Sequence, residues 1–146
     1  MTLPFLTRPY ETWAPLIGRI LFGAVFLVGA AFKIPGTPGF TAEVGMAAAA
    51  GIPVAVVAVF LAFILEVVAG VSIIIGWQTR LFAFLLVLFT VLLTAIFYRN
   101  LSDIMVFGMF MSHLGLIAGL LYLSTYGAQS KAVTTCPLPH GLTKST

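Results

Sequence analysis

Long apolar segments alternate with short polar or glycine- and proline-rich connections along the whole chain. We expect one helix in each apolar segment, over residues 16–32, 54–75, 81–98 and 104–123. Each is long enough to cross a bilayer, because about 20 apolar residues at 1.5 Å rise span its hydrocarbon core. The connection 33–53 begins with prolines that end the first helix and continues with a short alanine-rich stretch at 40–50. That stretch predicts a helix too short to span, lying in or dipping into the interface.

Composition places the chain among integral membrane proteins. Of its 146 residues 61% are hydrophobic and 8% are charged, and its mean hydropathy is +1.16. No soluble domain of this size could bury so much apolar surface. We therefore predict an all-α integral membrane protein, a four-transmembrane-helix bundle with a short interfacial or re-entrant helix between helices 1 and 2. Residues 1–15 are predicted to form a cytoplasmic or interfacial lead-in, 16–126 the membrane domain, and 127–146 a flexible cytoplasmic tail.

The basic residues predict an orientation and not a nucleic-acid surface. The formal charge is +3 and the pI about 9.4, but the cations are scattered between apolar segments and form no patch. With the N-terminus inside, only Lys33 and Arg99 lie outside, whereas five basic residues lie inside: Arg8, Arg19, Arg80, Lys131 and Lys144. An excess of Lys and Arg marks the cytoplasmic side. We therefore predict that both termini are cytoplasmic.

Glu66 is the first candidate for function, because it lies near the middle of the second apolar segment. A carboxylate at the bilayer centre costs at least about 2.5 kcal/mol, so it should be neutral, paired or turned toward protein. Helical spacing puts it on a stripe with small residues on either side: Ala62, Ala69 and Gly70. Small stripes are where membrane helices approach closely.

His113, Thr90 and Arg19 complete the predicted polar site. Counted from the helix ends, Glu66, His113 and Thr90 all lie about 15 Å deep, and Arg19 can point toward the same layer. The fourth helix carries a small-residue stripe, with His113 at its flank: Gly108, Ser112, Gly115 and Gly119. If this stripe meets that of Glu66, both side chains border one cavity. A carboxyl and an imidazole there can pass a proton and bind a quinone carbonyl.

Structural interpretations stand beside this one. Glu66 can stay protonated, or pair with Arg19 to tie two helices together, and one histidine of unknown orientation is a weak signal. No metal site is predicted: Cys136, the only cysteine, and His140 lie in the tail without a second ligand pair. A single cysteine also excludes an internal disulfide.

The chain resembles the DoxX family of small four-helix bacterial membrane proteins over residues 16–127. The resemblance lies in Arg19, in FLVGAAFK ending at Lys33, in Gly39-Phe40 and Gly51-Ile52-Pro53, and in the series Glu66, Gly70, Gly76, Thr79, Arg80. It implies a four-helix bundle in the bacterial inner membrane, related to membrane subunits of quinone-linked oxidoreductases. Relatives tend to carry an asparagine early in the fourth helix, where the nearest equivalent here is His113.

Three functions follow as hypotheses. The first is a membrane subunit of a quinone-linked oxidoreductase, with Glu66 and His113 catalytic and with Arg19, Glu66, Thr90 and His113 around a bound quinone. The second is a non-enzymatic subunit that anchors a larger complex, and the third a carrier of protons or small solutes. The expected partners are the lipid bilayer and either partner subunits or further copies of the chain.

Overall fold

The computed structural model describes the backbone of residues 4–128 and the side chains of residues 13–128. That part of the chain contains five helices: α1 Pro4–Ala31, α2 Pro38–Ala49, α3 Ala55–Ile75, α4 Thr79–Phe97 and α5 Ile104–Tyr126. Four segments are long and apolar enough to cross a membrane: Trp13–Ala31, Ala55–Ile75, Thr79–Phe97 and Ile104–Tyr126. The predicted all-α four-helix bundle with a short helix after its first span is thus confirmed. Most of the predicted tail, with Cys136 and His140, lies outside the described residues.

The first helix begins earlier than the apolar pattern indicates. α1 starts at Pro4 and continues through Pro9 and Pro15, so the described part of the predicted lead-in is helical and joined to the first span. A proline inside a helix removes one N–H donor and favours a bend, but the helix can continue beyond it.

Local sequence explains where the other helices start and stop. Thr37 caps α2, its hydroxyl accepting from the N–H of Phe40 at 3.3 Å, and Pro38 supplies the first helical residue. α3 ends at Ile75 and is capped by Gly76, whose φ of 81° lets the Trp77 N–H reach the carbonyl of Ser72 at 2.9 Å. Asp103 caps α5, accepting from the Met105 N–H at 2.8 Å.

The helices pack in the order α1, α3, α4, α5, and α2 lies against α3. α1 and α3 run antiparallel, since Gly23 faces Gly70 and Ile74 while Gly29 faces Glu66. α5 packs along α4 and meets α1 where Phe22 lies against Gly119, leaving no room for a Cβ there. The buried apolar core joins all four spans: Phe26, Ala69, Ile73, Ala83, Leu86, Val87 and Leu120.

The small-residue stripe of the last helix does not meet the stripe of Glu66, which was the condition for a cavity bordered by Glu66 and His113. Gly108, Ser112 and Gly115 are exposed, and a Cβ on either glycine would have nothing within 4 Å. Only Gly119 faces another helix, through Phe22. Since every side of a membrane helix can be apolar, the stripe alone did not fix which side turns inward.

Candidate functional site

Glu66 lies in the middle of α3 and is buried, with 4% of its surface exposed. Its Oε2 accepts a hydrogen bond from the ammonium group of Lys33 at 3.1 Å, which makes a salt bridge between α3 and the residues after α1. Lys33 also donates to the carbonyl of Gly29 at 3.2 Å. A Cβ on Gly29 would lie 3.4 Å from Oε2, so the carboxylate packs against this part of α1.

Arg19 lies toward the other end of the bundle. It is ten residues before Gly29 on α1, about 15 Å along the helix axis, and one turn before Gly23, which contacts Gly70 and Ile74. Its side chain is buried, with 1% exposed. The position of Arg19 does not suit the pair with Glu66 that we considered as the structural interpretation, and Lys33 makes that pair instead.

His113 of α5 contacts Thr94, which lies in α4, and Tyr98, which directly follows α4. Its Nδ1 lies 2.9 Å from the hydroxyl of Thr94, and its Nε2 lies 3.4 Å from the hydroxyl of Tyr98. The rings of Tyr98 and His113 meet edge to face, with centroids 4.7 Å apart and planes at 84°. The imidazole therefore has both nitrogens engaged and a defined orientation.

Thr90 and Thr94 are successive buried positions on one side of α4. The Thr94 hydroxyl donates to the carbonyl of Thr90 at 2.6 Å. The Thr90 hydroxyl is buried and has no hydrogen-bond partner among the described residues. Thr90 thus holds the Thr94 hydroxyl through its backbone carbonyl, while its own side-chain hydroxyl takes no part in these hydrogen bonds.

The charge of Glu43 on α2 acts on Glu66 and on Tyr98, the neighbour of His113. Glu43 itself is half-buried. Burial raises the pKa of the Tyr98 hydroxyl above its usual value, and the negative charge of Glu43 raises it further. Tyr98 is therefore a neutral hydrogen-bond donor at physiological pH.

Glu66 and His113 do not share a level as closely as the sequence suggested. Glu66 is nine residues before Ile75 and Thr90 eleven after Thr79, so the α3–α4 hairpin places them at about the same depth. His113 is level with Thr94, about 6 Å nearer the side on which α2 lies. No direct hydrogen bond joins them among the described side chains. Glu43 acts electrostatically on Glu66 and on Tyr98, the neighbour of His113.

The side chains gathered here are those of Lys33, Glu43, Glu66, Thr94, Tyr98 and His113, called the polar cluster below. Three of them, Lys33, Tyr98 and His113, are hydrogen-bonding groups suited to a ligand's oxygen atoms. Within residues 13–128, no three His, Cys, Asp or Glu side chains come together as a metal site would require. The donor set suits a small molecule with carbonyl or hydroxyl oxygens.

Comparison with known families adds one match. The family model described as DoxX matches residues 14–99, more than half of the chain. The chain therefore belongs to the DoxX family. Searches of curated proteins and of solved structures returned no match. This DoxX protein is, by its family and its four apolar helices, a multi-pass membrane protein.

The family match includes most of the polar cluster. Lys33, Glu66 and Tyr98 lie within the matched residues, whereas His113 lies beyond them, so the match is shorter than the resemblance we drew to residue 127. Sequence reasoning singled out Glu66 and His113 and missed their partners. Lys33 was treated as a topology signal, although a lysine four residues after Gly29 is placed to reach back along the helix.

Proposed function

We propose that this DoxX protein is a membrane subunit of a quinone-linked oxidoreductase and that its polar cluster binds the quinone headgroup. The observation that supports this best is the ion pair Lys33–Glu66 lying on the same side of the bundle as the hydrogen-bonded pair Tyr98–His113, with Glu43 acting on both. Ionisable groups within a membrane bundle are costly to bury and commonly mark a ligand or proton site.

The chemistry of the cluster fits a quinone. A quinone takes two electrons, here from a redox-active partner subunit, and two protons to become a quinol. Its two carbonyl oxygens need hydrogen-bond donors, which Lys33 and Tyr98 supply. His113 behind Tyr98 takes a proton when the quinol is oxidised and returns it when the quinone is reduced.

Glu66 acts in this proposal mainly through Lys33. Its carboxylate is buried and already accepts from the ammonium group at 3.1 Å. It therefore fixes where the ammonium group points, while Lys33, with 12% of its side chain exposed, meets the ligand. Thr90 stays a predicted contributor through its buried hydroxyl. Arg19 was also predicted there, but its distance along α1 places it outside this proposal.

Quinone bound to the purified protein tests the proposal. We expect a quinone to co-purify with the protein in mild detergent, and Lys33→Met to lower its affinity at least tenfold, since a hydrogen bond from a charged group contributes about 1.5–3 kcal/mol. Arg99→Gln is the matched control, because it removes a cation near the same end of the bundle whose guanidinium bonds only to the carbonyl of Ala95 among the described residues. Equal affinity in both variants, or no quinone at all, would rule the site out.

The proposed setting is the bacterial inner membrane with both termini cytoplasmic, as the distribution of basic residues favours. The polar cluster would then open toward the outer half of the membrane. The chain allows a direct test, because Cys136 is its single cysteine. We expect an impermeant maleimide to label Cys136 only after the membrane is permeabilised, and to label a Ser102→Cys, Cys136→Ser variant from outside. The reverse pattern would invert the orientation.

A non-enzymatic anchoring subunit is the second candidate, favoured by the outward position of Gly108, Ser112 and Gly115 on α5. Small residues facing lipid allow another helix to approach closely. Under this proposal Gly115→Leu would release partner chains from the purified complex and leave turnover per assembled complex unchanged. Under the first proposal Lys33→Met would lower turnover in complexes that remain assembled.

A further inference from the structure

The hydrogen bonds of Thr94 determine where its single hydroxyl proton lies. Its Oγ1 is 2.6 Å from the carbonyl oxygen of Thr90. Two oxygen atoms so close repel each other unless a proton lies between them, and a carbonyl oxygen carries none. The hydroxyl proton of Thr94 therefore points at Thr90, as is common when a threonine bonds back to the preceding turn of its helix.

That geometry leaves Thr94 only an acceptor toward His113. Nδ1 of His113 lies 2.9 Å from the same Oγ1, so Nδ1 has to be the donor and carry a hydrogen. In the neutral ring the other nitrogen, Nε2, then holds a lone pair. The hydroxyl of Tyr98, 3.4 Å away, is the group that faces it and can donate to it.

We infer that Thr94 is a positioning residue that holds neutral His113 in the Nδ1–H tautomer. Nε2 is then the proton-accepting atom of the polar cluster, and a proton reaches Nε2 through Tyr98. A ligand hydroxyl would give its proton to the Tyr98 oxygen as Tyr98 gives its own to Nε2. The ligand O–H bond and the original Tyr98 O–H bond break, a new Tyr98 O–H bond and an Nε2–H bond form, and no group is oxidised or reduced in that step. Glu43 is a charged group that acts on Tyr98 in this path, and it also acts on Glu66, whose partner is Lys33.

The identity of the proton source rests on the proposed function, whereas the tautomer does not. It can be measured in the full-length protein without any ligand. His140→Gln leaves His113 as the single histidine, and ¹⁵N-histidine labelling then gives one pair of ring signals. At a pH at which the ring is neutral, we expect a protonated, pyrrole-type signal for Nδ1 and an unprotonated, pyridine-type signal for Nε2.

Three threonine variants in this background test whether the Thr94 hydroxyl fixes the tautomer of His113 or whether the side chain only fills space. Thr94→Val removes the acceptor and should move the two ¹⁵N signals toward the Nε2–H tautomer, whereas Thr94→Ser should keep the original pattern. Thr90→Val is the matched control, since it makes the same change one turn away and leaves the Thr90 carbonyl in place. A pyridine-type Nδ1 in the unmodified site, or unchanged signals in Thr94→Val, would overturn the inference.

The measurement also separates this inference from the proposed function. If the tautomer is as expected but no quinone binds, the proton acceptor stands and the ligand is wrong. If quinone binds and the tautomer is the opposite one, the ligand stands and the assignment of Thr94 is wrong.

Discussion

The helix pairs α1–α3 and α4–α5 contain similar residues but place them differently. Both contain glycines and one polar connection between helices. In α1–α3 the glycines are buried at the contact, where a Cβ on Gly23 would lie 2.7 Å from the carbonyl oxygen of Gly70, and a salt bridge crosses between the two segments. In α4–α5 a histidine, His113, makes the connection, and Gly108 and Gly115 face outward.

The difference shows that glycine spacing in a membrane helix does not itself indicate a contact. A glycine allows close approach only on the side that faces another helix. The α1–α3 pair is thereby fixed in register by backbone contact and charge, whereas α5 keeps most of its surface available to lipid or to another protein. The predictions below test this contrast, from the largest expected effect to the smallest.

Breaking the salt bridge should have the largest effect. Removing one partner of a buried pair costs about 3–5 kcal/mol, because the other charge is left without compensation. We expect Glu66→Gln and Lys33→Met each to lower the free energy of unfolding in mixed micelles by that order. The double variant should cost less than the sum of the two single variants. Additive losses would show that the two side chains do not depend on each other.

Filling the glycine contact should come next. Gly23→Leu places a side chain against Gly70 and Ile74, and overpacking of this kind costs about 1–3 kcal/mol. Gly115→Leu is the matched control, since a Cβ there meets nothing within 4 Å and leucine favours a helix more than glycine does. The melting temperature should fall for the first variant and hold or rise for the second. A similar fall in both would contradict the contrast between the pairs.

Removing the histidine should cost less than removing either charge. His113→Leu loses neutral hydrogen bonds to Thr94 and Tyr98, each contributing about 1 kcal/mol, while the Thr94 hydroxyl keeps its bond to Thr90. Ser112→Ala is the control, because the neighbouring hydroxyl bonds only within α5, to Gly108. The free energies of unfolding of the two variants, obtained from their unfolding curves, should differ by the contribution of one to two such hydrogen bonds. A loss for His113→Leu as large as that for Glu66→Gln would make the two connections equivalent.

The smallest expected effect is that of Glu43→Gln on the titration of Tyr98 in alkaline solution. The pKa of Tyr98 is raised by burial and then by Glu43, so the folded state holds this proton at a pH where the unfolded state releases it. Tyr98 therefore contributes stability that is complete below the unfolded pKa of about 10 and is lost as the pH rises through the folded value. Glu43→Gln should lower the pKa of Tyr98, measured as tyrosinate absorbance relative to a Tyr98→Phe reference. An unchanged titration would show that Glu43 does not act on Tyr98.

The amino-acid sequence by itself determined the number of membrane helices, the short α2 and the family. Length and apolar content are enough for this, because an unpaired backbone in lipid must form helices of bilayer length. A carboxyl group in the middle of α3 was equally evident, since Glu66 is the only charged residue of that helix.

Only the tertiary structure decided which side of each helix turns inward and which partners the polar groups find. Membrane helices are apolar both toward lipid and toward protein, so their rotation leaves little trace in the hydrophobic pattern. The partner of Glu66 comes from beyond the end of α1, and that of His113 from the end of α4. Such contacts depend on the register of antiparallel helices, which close packing determines, as Gly23 on Gly70 does between α1 and α3.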